Sequence, residues 1–289
     1  MQAAPLWKAS VVLAKERAGN AAALFEVTPP RPQAVLVEEE VFGTNTTVEA
    51  LYGRMPDGAL LSQLLGHDVH VSLIPDQDWI GLSQEGLPPV RAGRFFVHGA
   101  HAGALIPHGT IALEIEAGLA FGTGHHESTA LCLAVLCDLA KRRRFRKALD
   151  LGCGTGVLAI AMAHLWKSEV TAADIDPVAV AVTRVNALRN DAGPLVRAVV
   201  ADGLAHPVLA AAAPFRLIAA NILAGPLTRL APAIARALSP HGLLLLSGLL
   251  RWQENLVLSF YRPHGLRLRE ARRDGNWSAL LLERVARPG

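Results

Sequence analysis

The chain has 289 residues, of which 51% are hydrophobic and 18% are charged, and its formal net charge is +3. This composition excludes a disordered chain and supplies enough apolar residues for a sizeable core. The apolar runs are too short to predict a membrane span, and the first residues lack the cationic start and apolar run of a signal peptide. We therefore expect a cytoplasmic protein, and its pI of about 9.0 is compatible with a ribosomal or acidic partner.

Residues 1–75 predict a small α+β domain. Hydrophobic periodicity indicates strands at residues 7–13, 34–42 and 67–73, and helices at residues 14–25 and 58–65. The pattern at residues 44–52 is too short to decide between a third strand and the start of a helix. Short strands in this order with two helices favour a ferredoxin-like domain.

The remainder of the chain predicts a linker followed by a larger α/β domain. Residues 76–103 are rich in Pro, Gly, Asp and Gln, which indicates a linker or an extended crossover. From residue 104 to residue 289, strands and helices alternate, as in a parallel sheet covered on both faces. Seven strands are predicted at residues 147–151, 170–173, 195–201, 215–220, 243–247, 266–271 and 278–284.

A glycine-rich turn joins the first of these strands to an apolar helix at residues 157–163. Gly152, Gly154 and Gly156 alternate in a G-x-G-x-G pattern with Asp150 just ahead. The dinucleotide fingerprint spaces its last glycine further on, to place a pyrophosphate at the helix N-terminus. An acidic residue beside the turn repels phosphate but accepts bonds from an ammonium or hydroxyl group. The pattern favours a nucleoside cofactor without phosphates, above all S-adenosylmethionine, over a purely structural turn.

Three aspartates follow the next two predicted strands. Asp174 lies about twenty residues past the glycines, where nucleotide-binding α/β folds place an acid that accepts the ribose hydroxyls. Asp176 precedes Pro177, and we interpret it as the N-cap of a helix. Asp202 ends the third strand and is equally suited to an adenine contact and to a loop cap.

Two further segments make a resemblance specific. Residues 120–129, Ala-Phe-Gly-Thr-Gly-His-His-Glu-Ser-Thr, lead into a predicted helix at 130–140, and residues 221–227, Asn-Ile-Leu-Ala-Gly-Pro-Leu, follow the fourth core strand. With the glycine turn and the Asp-Ile-Asp-Pro segment at 174–177, they resemble the PrmA family. Those enzymes methylate protein eleven of the large ribosomal subunit at its N-terminal amine and at lysine side chains. The seven strands also fit the Rossmann-like sheet of methyltransferases.

The resemblance implies that Thr129, Gly152, Asp174 and Asn221 contact S-adenosylmethionine, and we add Asp150, Gly154 and Asp202 as candidate cofactor-binding residues. It also implies that the N-terminal domain grips the ribosomal substrate. Because the methyl donor is already activated, the reaction depends on positioning. We therefore predict no covalent nucleophile, no metal and no dedicated strong base, with the Asn221 carbonyl orienting the incoming amine.

Other conspicuous residues have plainer interpretations. Cys153 is expected to be a small packed residue, and the adjacent His125 and His126 lack partners at metal-ligand spacing. The basic run at residues 141–147 can contact ribosomal RNA, although a solvated linker is favoured. We expect a monomer without membrane contact. The alternatives are a related protein-lysine methyltransferase with another substrate and a noncatalytic ribosome-assembly module that keeps the fold.

Overall fold

The computed structural model describes residues 6–32, 34–39, 45–74, 89–99, 106–115 and 126–285. The chain divides into two compact units, Met1–Trp79 and Ile80–Gly289. None of the helices in the described ranges is long and apolar enough to cross a bilayer.

The first unit is a four-stranded antiparallel sheet with two helices. Its elements are β1 (Leu6–Ala14), α1 (Lys15–Val27), β2 (Ala34–Glu39), β3 (Asn45–Tyr52), α2 (Gly58–Leu65) and β4 (His70–Ile74). The strand order is β2-β3-β1-β4, and each neighbouring pair is antiparallel. This βαββαβ order is the ferredoxin-like arrangement that the sequence predicts.

Period-two burial explains why the undecided segment is a strand. In β3, Val48, Ala50 and Tyr52 are buried on one face, a spacing that a helix cannot provide. The same core receives Ala18 and Phe25 of α1, which stand two helical turns apart. The small domain therefore has a core of its own.

The second unit begins with a three-stranded sheet, of which the sequence predicts only the strand that begins at Ile111. It comprises β5 (Val90–Ala92), β6 (Phe95–His98) and β7 (Ile111–Glu114). β5 pairs with β6 antiparallel, and β6 pairs with β7 parallel. The prediction of a linker at 76–103 is therefore wrong for residues 90–98, whereas residues 76–88 and 100–103 lie outside the described ranges. Phe95 is fully buried, which anchors this sheet in the unit's core.

The main sheet and its helices occupy the remainder of the second unit. Its elements are α3 (His126–Ala140), β8 (Ala148–Leu151), α4 (Val157–Trp166), β9 (Val170–Asp174), α5 (Pro177–Arg189), β10 (Val196–Val200), α6 (Pro207–Ala212), β11 (Phe215–Asn221), α7 (Ala224–Ala237), β12 (Leu238–Leu250), α8 (Glu254–Tyr261), β13 (Leu266–Asp274) and β14 (Trp277–Arg284). The short helix α6 is not predicted by the sequence, and β12 starts five residues before the strand expected at residue 243.

The strand order β10-β9-β8-β11-β12-β14-β13 confirms the predicted methyltransferase sheet. Strands β8 to β12 are parallel to one another, and β14 is inserted antiparallel between β12 and β13. Two hydrophobic clusters cover the two faces: α3, α4 and α5 pack on one, and α6, α7 and α8 pack on the other. The carboxyl ends of β8, β9, β10 and β11 therefore meet at one edge, where open α/β sheets bind ligands.

Candidate active site

The turn between β8 and α4 exposes main chain at the centre of this edge. Gly152, Gly154 and Gly156 have φ angles of +74°, +53° and +81°, which favour glycine over residues with a Cβ. A Cβ on Gly152 would stand 2.2 Å from Cγ2 of Ile222, and one on Gly156 would stand 2.7 Å from Cγ2 of Thr183. Conformation favours glycine at all three positions, and space also requires it at Gly152 and Gly156, so the turn leaves bare backbone for a ligand.

Asp150 is buried beneath this turn, with 1% of its surface exposed. Its Oδ2 accepts a hydrogen bond of 2.9 Å from the main-chain N–H of Ala159, the third residue of α4. Because Gly156 at the N-cap position offers no side chain, Asp150 satisfies an N–H of the first helical turn instead. Burial raises the pKa of Asp150 to about 7, against the lowering effect of the Ala159 bond and with a further increase from the charge of Asp174.

Asp174 lies at the end of β9 and is held by two main-chain bonds. Its Oδ2 accepts from Gly154 N–H at 2.9 Å, and its Oδ1 accepts from Asp176 N–H at 3.0 Å. Each carboxylate oxygen has a second acceptor site. The carboxylate can therefore still accept a pair of ribose hydroxyls.

Asp176 has the structural role that we interpreted from the sequence. Its Oδ1 accepts from Val178 N–H at 2.8 Å, and Pro177 occupies the first position of α5. The interpretation of Asp176 as a helix N-cap is confirmed.

Asp202 follows β10 and has an exposed side chain. Its main-chain oxygen accepts from Ala205 N–H at 3.2 Å, which closes the turn after the strand. The next helix, α6, is capped by the ring of His206, whose Nδ1 accepts from Val208 N–H at 3.1 Å. The adenine contact of Asp202 stays a prediction.

Asn221 and Thr129 meet at the same edge although they are far apart in the chain. The Nδ2 group of Asn221, at the end of β11, donates to the Thr129 hydroxyl at 3.2 Å. Thr129 is buried in the first turn of α3. Among the described residues, the Oδ1 atom of Asn221 is buried and has no hydrogen-bond partner. A buried acceptor without a partner costs free energy, so this oxygen is suited to a donor on a ligand.

Ser247 is a residue of this edge that sequence reasoning missed. It is fully buried on β12 and pairs in register with Asn221. Its hydroxyl lies 2.9 Å from the carbonyl oxygen of Ser278 and 3.4 Å from that of Ser128, at the start of α3. The start of α3 is therefore bound by side chains from two adjacent strands.

Cys153 and the two adjacent histidines are the remaining residues that the sequence singles out. Cys153 is buried, its sulfur accepts a 3.3 Å bond from the Thr183 hydroxyl, and burial raises the pKa of its thiol well above the usual range. This confirms a packed residue. Residues 116–125, including His125, lie outside the described ranges, as does the side chain of His126. Across the described part of the chain, no group of three or more His, Cys, Asp or Glu residues could hold a metal ion.

The seven-strand order, the glycine turn and the acidic residue after the second strand define a Rossmann-like methyltransferase. The sequence model of the ribosomal protein L11 methyltransferase (PrmA) family matches residues 9–285. The chain belongs to this family, which confirms the resemblance seen in its motifs.

Relatives and a solved structure agree with this assignment. A ribosomal protein L11 methyltransferase from Mesorhizobium japonicum is 44% identical over 276 residues, covering 95% of this chain and 93% of the relative. One from Brucella suis is 47% identical over 210 residues, covering 73% and 74%. The crystal structure of a ribosomal protein L11 methylase from Lactobacillus delbrueckii subsp. bulgaricus aligns with a TM-score of 0.61 at 24% identity, covering 68% of this chain and 99% of that one. This structural likeness supports the fold.

Proposed function

We propose that this protein transfers methyl groups from S-adenosylmethionine to amines of ribosomal protein L11, namely lysine side chains and the N-terminal α-amine. Membership of the PrmA family supports this activity. The observation that carries the role of the site is the buried Oδ1 atom of Asn221, which has no partner in the described structure. An amine is a donor of the kind that this oxygen lacks.

The residues at the sheet edge fit the methyl donor. Bare backbone at Gly152 and Gly154 allows close approach, and the carboxylate of Asp174 is suited to ribose hydroxyls. The hydroxyl of Thr129 and the exposed carboxylate of Asp202 complete the proposed binding residues, while Asp150 supports the turn from below. When bound, S-adenosylmethionine supplies an activated methyl group on a positively charged sulfur.

The task of the protein's own residues is to position a neutral amine. A free lysine has a pKa of about 10.4 and an α-amine one of about 7.7–8.0, so lysine is the harder acceptor to deprotonate. Burial of the acceptor and a nearby positive charge both lower an amine pKa. Asn221 accepts a hydrogen bond from the amine and so directs its lone pair. Holding both reactants in a productive geometry contributes about 7–11 kcal/mol in well-oriented reactions, and Asn221 supplies part of that effect.

The first unit is proposed to recognise the ribosomal protein. In β1, Ala9, Val11 and Leu13 face the helices, so Lys8, Ser10 and Val12 lie on the opposite face of the sheet. Val12 is 56% exposed, and Lys8 forms an ion pair of 2.7 Å with Glu49 of the neighbouring strand. A mixed polar and apolar sheet face of this kind suits a protein surface. We assign residues 1–75 to substrate recognition and residues 104–289 to catalysis.

The basic run at residues 141–147 is proposed as a weak contact for ribosomal RNA. Its cations at 142, 143, 144, 146 and 147 are exposed and have no ion-pair partner among the described residues, whereas Lys141 pairs with Asp138 at 2.6 Å. Phe145 anchors the run by packing edge-on against Trp166. Unpaired cations on an anchored loop attract phosphate. We further propose that the protein is a monomer and acts in the cytoplasm.

The test is to incubate the purified protein with methyl-labelled S-adenosylmethionine and the ribosomal proteins, and to locate the label by peptide mapping. Label on lysine side chains and the α-amine of L11 is expected. Label confined to another protein would favour a related protein-lysine methyltransferase. Absence of label from every protein would contradict an enzyme and favour a noncatalytic binding module.

A further inference from the structure

Ile222 follows Asn221 directly and lies against the glycine turn. Its half-buried side chain packs on the hydrophobic cluster that contains Leu151 and Leu246. The Cγ2 methyl of Ile222 fills the space in which a Cβ on Gly152 would stand, 2.2 Å away. One residue therefore connects the end of β11, which carries Asn221, to the turn proposed to bind the methyl donor.

Gly248 of β12 contacts the same residue through its main chain. A Cβ at position 248 would stand 2.6 Å from the carbonyl oxygen of Ile222, 2.8 Å from its carbonyl carbon and 2.9 Å from its nitrogen. Gly248 has a φ of +77°, at an irregularity in the pairing of β12 with β14 between Leu246 and Leu249. Main-chain atoms cannot rotate away as a side-chain methyl can, so a side chain at 248 must displace the Ile222 peptide.

Such a displacement reaches Asn221 because the two residues share a peptide bond. Asn221 is also paired in register with Ser247, the residue before Gly248. Its side-chain amide is held only by the 3.2 Å bond to Thr129 among the bonds that the structure describes. A shift of the peptide therefore changes where the Oδ1 atom points.

We propose that Ile222 and Gly248 are positioning residues for methyl transfer. Gly248 lets β12 approach the main chain of Ile222, and the Ile222 methyl rests on the glycine turn at Gly152. Together they fix the Asn221 amide relative to that turn. Neither residue has a polar side-chain atom, so their effect passes through Asn221, and the inference rests on the proposed function of this site.

The decisive variant is Gly248→Ala, compared with Gly265→Ala. Gly265 has the same φ of +77°, but the nearest atom to an added Cβ is the carbonyl oxygen of Val285 at 3.8 Å. Both variants therefore place an alanine at the same positive φ, and only the first also meets the Ile222 peptide. Gly248→Ala is expected to lower kcat about 100-fold, as misplacement of a reacting group does, with a smaller change in KM. Gly265→Ala is expected to retain wild-type kcat.

A second readout separates this inference from the choice of substrate. The side-chain NH2 signals of Asn221 in a ¹⁵N–¹H spectrum are identified by their absence in Asn221→Ala. They should shift in Gly248→Ala and stay in place in Gly265→Ala. If the wild-type protein transfers no methyl group to L11, the proposed function fails, while these signals still decide whether Gly248 positions Asn221.

A pair of variants at Ile222 covers the case in which Gly248→Ala does not fold. Ile222→Ala removes the methyl that rests on Gly152, whereas Ile222→Val keeps a methyl at the same position. The alanine variant should shift the Asn221 signals and lower kcat. The valine variant should keep the signals and kcat of the wild type. Wild-type signals and wild-type kcat in Ile222→Ala, or in a folded Gly248→Ala, overturn the inference.

Discussion

Asn221 and Thr129 are 92 residues apart in the chain, yet the amide of the first donates a 3.2 Å hydrogen bond to the hydroxyl of the second. The bond joins the carboxyl end of β11 to the first turn of α3. It uses the NH2 group of Asn221 and thereby turns the carbonyl oxygen toward a buried position without a partner in the described structure. A donor and an acceptor on one side chain thus have separate roles: one fixes the amide, and the other is available to a substrate.

The separate roles of the two polar groups of Asn221 predict the effect of removing its side chain. Asn221→Ala should lower kcat about 100-fold because the acceptor for the amine is lost and the amine is misplaced. The affinity for S-adenosylmethionine should stay largely unchanged, since the glycine turn and Asp174 remain. Steady-state kinetics with L11 and calorimetric titration of the cofactor measure the two quantities. Asn276→Ala, at an exposed turn, is the matched control, and unchanged turnover in Asn221→Ala would refute the assigned role.

Substitutions at the neighbouring residues Asp174 and Asp176 should have different effects, the first on cofactor binding and the second on stability. Asp174→Ala removes the acceptor of Gly154 N–H and the proposed ribose partner, so the Kd for S-adenosylmethionine should rise steeply. Asp176→Ala removes the N-cap of α5 and should lower the free energy of unfolding by about 1 kcal/mol with little effect on Kd. Calorimetry and chemical denaturation measure the two effects. Equal losses of cofactor affinity in the two variants would contradict the assignment.

The burial of Asp150 predicts a pH-dependent stability. Its pKa is about 7 in the folded protein, against an ordinary value of 3.8. Because the folded-state pKa is raised, the folded protein favours the neutral carboxyl. The stability that this preference contributes is fully present below pH 4 and is lost as the pH rises through 7. Ionisation of the buried carboxyl therefore destabilises the fold by at most about 4 kcal/mol above pH 7.

Asp150→Asn isolates this effect because the amide oxygen can still accept from Ala159 N–H. Relative to the wild type, the variant should gain stability between pH 4 and pH 7 and show a constant difference above that range. Urea denaturation at a series of pH values measures it. A difference that does not vary with pH would mean that folding does not raise the pKa of Asp150. Asp174→Asn should move the transition of Asp150 to lower pH, since the charge of Asp174 raises that pKa.

The RNA contact is tested by the salt dependence of binding. The double variant Arg142→Ala/Arg144→Ala should reduce the slope of log K against log salt by about 1.4 for a single-stranded RNA, which is the loss of two phosphate contacts. Arg31→Ala/Arg54→Ala removes the same charge from exposed positions of the first unit. Fluorescence anisotropy with a labelled RNA compares the two. Equal slopes would show that net charge, rather than the basic run, governs the association.

The regular elements of the fold were predictable where periodicity was long or where turn residues marked the ends. Helix α2 begins after Asp57, whose side chain accepts from Leu60 N–H, and ends at Gly66 in a left-handed conformation. Both signals are local, so the predicted bounds of 58–65 agree with the structure. Strands β5 and β6 were missed because they have three and four residues and lie in a stretch whose Pro, Gly, Asp and Gln content indicates a linker. Their pairing with β7 is a tertiary contact that no local pattern contains.

The candidate site also contains features that the local sequence predicts and features that depend on the tertiary fold. The glycine turn is a short motif, and its three positive φ angles follow from local conformation. The bond from Ala159 to Asp150 was not predictable, because a strand residue there replaces a helix cap that is ordinarily local. Ser247 and Gly248 carry no signal of their own in the sequence, and Ile222 is marked only as a member of the motif at residues 221–227. Their roles depend on which strands become neighbours, which is a property of the whole sheet.

The two main-chain bonds to Asp174 have a further consequence. Because Gly154 and Asp176 hold both carboxylate oxygens, the rotamer of this side chain is fixed when the protein folds. The conformational entropy of ordering it is therefore lost on folding rather than on ligand binding, as in other preorganised sites. A carboxylate arranged in this way gives a binding enthalpy that is not offset by side-chain ordering.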